Sequence, residues 1–249
     1  MPFEIGPFVA AAVFAAVFLF GRNVLIPAPL RRHRRKLLSF GAGITIAYVF
    51  VHLLPELEAA REALVHNEAR MALPIFAFRV YLAALIGFMA FYALGQIIAK
   101  AHAPAGAEAT VHEPNRLHRA LHTGGFLVYV WLVGYLAVRG FEAGTTPIAL
   151  YAAALGLHFL SLDFSFFREY GAWYDRTARY AFVLAPLAGW AVGMFVEFSP
   201  FFTAALLGFI SGGIILNATV SELPRENEGR PLYFLLGGAV YTVLLIILS

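Results

Sequence analysis

The sequence predicts an all-α integral membrane protein with eight transmembrane helices, and three observations predict it. Hydrophobic residues make up 61% of the 249 residues, charged residues only 13%, and mean hydropathy is +0.75. That balance leaves too little polar surface to cover a water-soluble domain of this size. Eight apolar runs each approach the ~20 residues that cross a ~30 Å hydrocarbon layer. Two of those runs are near-copies expected to point in opposite directions.

The runs lie at 5–27, 37–57, 75–99, 121–138, 147–167, 178–197, 201–221 and 231–248. The first is broken by Gly21, Arg22 and Pro27. It has Glu4 ahead of it, a basic cluster behind it and no small-residue cleavage site, so it is expected to be a span and not a secretory leader. The second, within SFGAGITIAYVFVHLLPELE, closes on His52, Pro55 and Glu56. Linkers are short apart from Glu58–Leu73 and the polar, His-bearing stretch Lys100–Ala120, which leaves no room for a soluble domain. The seventh run, in SGGIILNATVSELPRE, repeats the pattern of the second: small residues, an apolar stretch, then Glu222, Pro224 and Glu226.

Basic residues set the expected orientation. With the N-terminus outside, fourteen of the eighteen Lys and Arg residues fall in inner loops, and only Arg61, Arg70, Arg79 and Arg139 fall outside. The outer loop after the second span is acidic, with Glu56, Glu58, Glu62 and Glu68. Both termini are therefore expected outside, in a cytoplasmic membrane. The second span then runs outward and the seventh inward. This makes an inverted repeat of spans one to three and six to eight around spans four and five, with a substrate path at the junction of the halves.

Several classes are excluded. Cysteine is absent, so disulfides and thiol chemistry are too. The net charge of +3 is spread over short loops as topology signals and implies no nucleic acid. The two lysines, Lys36 and Lys100, lie outside the late spans, so a retinal Schiff base has no anchor. No G-x-S-x-G, H-E-x-x-H or phosphate-binding glycine loop occurs, and no enzyme is expected.

The polar residues inside spans are the candidates for function. His52 and Glu56, four apart, share a helix face. They either collect a cation or gate the outer mouth, or Pro55 and the carboxylate simply end the helix in the headgroup layer. His158 is either an ion ligand or a packed histidine bonded to a neighbouring helix. Asp163 lies about 7.5 Å and 140° further along that helix. It is either on an ion or proton path or a structural partner for Arg168, Arg176 or a tyrosine. Asn217 and Ser221 share a face with Glu222 beside them, as an exit lining or as interhelical hydrogen-bonding groups. His102, His112, His118 and His122 are either metal-binding or part of a solvated linker. Trp173, Tyr174 and Tyr180 read as interfacial anchors.

The second span with its HLLPE ending, the third, IFAFRVYLAALIGFMAFYALGQ, the His-bearing inner loop, ELPRE after the seventh and the terminal LLGGAVYTVLLIIL together resemble the ZIP (Zrt/Irt-like) family of divalent-metal transporters. The resemblance implies an eight-helix, usually dimeric transporter. It would carry Zn²⁺, Fe²⁺ or a similar ion toward the cytoplasm through a site shared by the fourth and fifth helices. At that site the sequence departs from the family. The family's His-Asn-x-x-Asp-Gly falls on Tyr129, Val130, Val133 and Gly134. Its His-Glu-x-Pro-His/Glu falls on His158, Phe159, Leu160, Ser161 and Leu162, and Ala185 precedes Pro186 where the family offers Glu. Zinc needs about four ligands, so the resemblance leaves no resident cofactor and at most a weak Zn²⁺-type site rebuilt on His158, Asp163, Asn217 and Glu222. A fold kept for a structural, regulatory or partner-binding role is the second expectation. An intramembrane enzyme or haem protein using His52 and His158 is a third.

Overall fold

A computed structural model describes residues 5–21, 33–67, 78–101, 116–139, 148–222 and 230–248. Its described elements are helical: α1 (Ile5–Phe20), α2 (Arg34–Tyr48), α3 (Leu54–Asn67), α4 (Arg79–Ala101), α5 (Arg116–Arg139), α6 (Ile148–Trp173), α7 (Arg179–Phe195), α8 (Pro200–Leu216) and α9 (Pro231–Leu248). Six helical segments among the described residues are long and apolar enough to cross a membrane, and Ile5–Phe20 is a shorter apolar helix. Backbone groups in hydrocarbon must be satisfied within their own segment, which is why so apolar a chain folds as helices.

The first expected span is helical over Ile5–Phe20, and its residues 22–27 lie outside the described residues. Arg179 packs against this helix: the guanidinium Nε donates to the Phe18 carbonyl at 2.7 Å and an Nη to that of Leu19. Two boundaries differ from expectation. The second span does not end at Pro55. The helix passes into α3 through a π turn over Val49–Leu53, where the Leu54 N–H reaches the Val49 oxygen. That wider turn, just ahead of a proline that has no N–H and crowds the carbonyl four residues back, lets the helix continue. The fifth and sixth expected spans form one helical run, Ile148–Phe195, bent at Gly171 (φ 53°, ψ −130°). A straight helix would hold Phe166 and Phe182 about 24 Å apart. Their ring centroids are 5.0 Å apart, so the chain folds back on itself there.

Pairs of contacts fix the helix directions. Phe14 meets Tyr151 and Phe18 meets Phe159, so α1 and α6 run parallel. Gly208 faces Val80 and Gly212 faces Ala84, so α4 and α8 do as well. Gly189 faces Trp131 and Gly193 faces Tyr135 across the parallel α5–α7 crossing. Lys36 lies over Tyr233 and Tyr48 meets Tyr241 along α2 and α9. Conversely, Tyr129 meets His158 and His122 meets Tyr170, so α5 and α6 are antiparallel.

Directions therefore alternate through the bundle. Ile5 and Leu248 lie at the same end, together with Arg61, Arg79, Arg139 and Glu197. Lys36, Arg116, Arg119, Arg176 and Arg230 lie at the other. A Cβ on Gly43, Gly87, Gly134, Gly189, Gly212 or Gly237 would penetrate a backbone carbonyl of the facing helix. Without a hydrophobic drive between helices in lipid, such close backbone approach is the source of their attraction. Leu85, Ile86, Met89, Ile246 and Ile247, exposed on α4 and α9, form the lipid-facing surface.

Candidate functional site

Polar side chains gather along the interface of α5 and α6. On α6, Tyr151, His158 and Glu169 are spaced by seven and eleven residues, which places all three within about 20° of one helix face. Each meets α5. The Tyr151 hydroxyl donates to the Val133 carbonyl at 3.2 Å, and the Tyr129 hydroxyl and His158 Nε2 share a hydrogen bond of 2.9 Å. Glu169 Oε1 lies 3.6 Å from His122 Nδ1, which also bonds the Tyr170 hydroxyl at 2.5 Å. From Tyr151 to Glu169 the helix rises about 27 Å, close to the hydrocarbon thickness.

At the end holding Glu197, this seam meets a small pocket between the α2–α3 π turn, α5, α6 and α8. Its walls are Tyr48, Leu53, Glu56, Val133, Tyr151 and Ser211, with aliphatic side chains around them. The π turn carries His52, whose Nε2 is 3.6 Å from Glu56 Oε2. The expected outer pair is thus brought together on one face, and Glu56 lines the pocket. Ser211 donates to the Leu207 carbonyl at 2.7 Å, the usual fate of a hydroxyl inside a membrane helix.

The remaining expected residues are placed separately. Asp163 is fully buried but accepts a 2.7 Å hydrogen bond from Tyr174, off the α5-facing stripe, so the structure does not bring it to His158. Tyr174 is accordingly no interfacial anchor: it is fully buried, while Tyr180 is exposed. Trp173 packs under the Arg119 guanidinium at 4.2 Å. Asn217 is buried at the start of the π turn Asn217–Glu222 on α8, and another π turn, Tyr174–Ala178, joins α6 to α7. The side chains of Ser221, Glu222 and His118, and all of His102 and His112, lie outside the described residues.

The positions matched to the family's ligands are filled by packing. Tyr129, Val133, Phe159, Leu162 and Ala185 are all buried. Phe159 stands edge-on to Phe14 at 5.0 Å and to Tyr129 at 6.1 Å, and tilts against Phe18 at 5.4 Å. Among the described residues, no three His, Asp or Glu side chains converge to hold a metal ion. Tyr129 as a hydrogen-bonding group, and Tyr151 and Glu169 as members of the stripe, are not among the residues expected from the sequence. The seven- and eleven-residue spacings were the signal that could have found the latter two.

No protein-family model matches this chain, and no curated protein matches it either.

Proposed function

We propose that the chain is a ZIP-like transporter of small cations, an eight-crossing bundle in which the first three and last three crossings are inverted copies. The observation that carries the reading is the stripe Tyr151–His158–Glu169, facing α5 over about the thickness of a bilayer. Ionisable groups are costly in hydrocarbon, and they are kept there where they line a path or a wet cavity. Symmetry supports the bundle. Exchanging the repeats turns the α2–α9 crossing into the α8–α4 crossing, and both are parallel contacts through glycines. It also turns α1–α6 into α7–α5. The π turns at Val49–Leu53 and Asn217–Glu222 fall on corresponding helices. Segregation of arginines to the end away from Ile5 favours both termini outside.

On this reading a cation enters at Glu56, passes Tyr129 and His158, and leaves beside His122 and Glu169. A second reading, a ZIP-like protein that has lost transport and serves a structural, regulatory or partner-binding role, is favoured by Phe159 and its ring neighbours. They fill the place where the family gathers ligands.

Flux into proteoliposomes separates the two, using a panel of Zn²⁺, Fe²⁺, Mn²⁺ and monovalent cations. We expect saturable uptake of a monovalent cation, at least tenfold slower in His158→Phe, which removes the bond to Tyr129 and fills the seam. Uptake indistinguishable from protein-free vesicles for every cation would leave the second reading standing. Unchanged uptake in His158→Phe would place the route elsewhere.

A further inference from the structure

The pocket at Glu56 is built for a particular kind of cation. Among its walls, Glu56 is the carboxylate, set against a surface otherwise made of Tyr48, Tyr151, Ser211 and aliphatic side chains. The space inside is small and partly open. Hard metal cations need six or more oxygens and zinc about four ligands, and these walls do not offer such a shell. Tyr151 and Ser211 have committed their hydroxyl protons to the carbonyls of Val133 and Leu207, so what they turn to a ligand is oxygen lone pairs. Tyrosine ring faces attract a weakly hydrated cation.

One carboxylate, the acceptor oxygens of Tyr151 and Ser211, two tyrosine rings and little room suit a guest that brings its own N–H donors and one positive charge. We infer that this pocket binds ammonium or a short alkylammonium ion, with Glu56 as counter-ion and Tyr48 and Tyr151 as its aromatic walls. As a transport substrate the ion rests on the function proposed above; as a ligand it does not. Methylammonium, with three N–H donors and one methyl group, suits the carboxylate and the aliphatic wall together.

The test uses the purified full chain in detergent and in proteoliposomes, with radiolabelled methylammonium as probe. Expected are saturable binding, displacement by ammonium, and no displacement by equal concentrations of Na⁺, K⁺ or Zn²⁺. Glu56→Gln should weaken binding at least tenfold while melting remains cooperative. Should that variant fail to fold, Tyr151→Leu, which removes one aromatic wall, should weaken binding at least threefold. Binding without flux would sink the transport reading and keep the site. Flux of another cation with no methylammonium binding would sink the site and keep transport. Displacement by Na⁺ or K⁺, or full binding in folded Glu56→Gln, would overturn the assignment.

Discussion

Gly212→Ala is expected to cost the protein more than any other single methyl group. A Cβ at Gly212 would penetrate the Ala84 carbonyl oxygen and crowd the Phe88 nitrogen, both backbone atoms that no rotamer change can clear. The helices would have to separate along the whole α4–α8 contact, which also includes Gly87 against Phe209 and Gly208 against Val80. Overpacking of this kind costs about 1–3 kcal/mol or more even where side chains can yield. We expect a large loss of folded yield and a melting temperature lower by many degrees, with Gly87→Ala behaving alike. Gly95→Ala and Gly124→Ala are the controls, since nothing lies within 4 Å of the added atom at either position. Equal stability of Gly212→Ala and Gly95→Ala in a detergent melting series would mean that α4 and α8 do not meet through these glycines.

Tyr174→Phe should come next in size. Its hydroxyl donates to Asp163, a carboxylate with no exposed surface, and the bond ties α6 to the turn that leads into α7. A hydrogen bond to a charged group contributes about 1.5–3 kcal/mol, and a buried partner left without it also bears its desolvation. We expect Tyr174→Phe to destabilise by about 2 kcal/mol. Asp163→Asn should cost less, because the amide oxygen still accepts from Tyr174. The same pair separates two roles for Asp163. If Asp163→Asn keeps its fold and its flux, the carboxylate is a brace for the helical turn. If it keeps its fold and loses flux, Asp163 belongs to the route.

Much of the bundle was legible in the sequence because hydropathy reports what lipid demands of a helix. The run 231–248 matches α9, and 121–138 lies within α5. The second and seventh runs, alike in sequence, both carry π turns, as does the α6–α7 junction, though nothing in residue spacing shows a π turn. The bend at Gly171 was not legible, since a lone glycine in a polar stretch looks the same whether it adopts a positive φ or continues a helix. Partners were hidden for another reason. Asp163 finds Tyr174 and His158 finds Tyr129 through contacts that depend on how helices turn about their axes, which one sequence does not contain. Of the positions matched to the family's ligands, Val133, Phe159, Leu162 and Ala185 read as apolar and are buried, whereas Tyr129 and His158 bond each other.

The most direct test of the bundle is which face of the membrane each turn occupies. The chain has no cysteine, so single cysteines can be introduced without background. If Ile148–Phe195 crosses once, positions 142 and 197 lie on opposite sides. If it crosses, turns at Gly171 at the far surface and crosses back, they share a side and Thr177 lies on the other. With a membrane-impermeant thiol reagent applied from outside, cysteines at Glu62, Glu142 and Glu197 should be labelled. Those at Arg34, Glu108 and Thr177 should be labelled only after the membrane is opened. Labelling of Thr177 from outside, or of Glu142 and Glu197 from opposite sides, would contradict the eight-crossing bundle and the seam that depends on it.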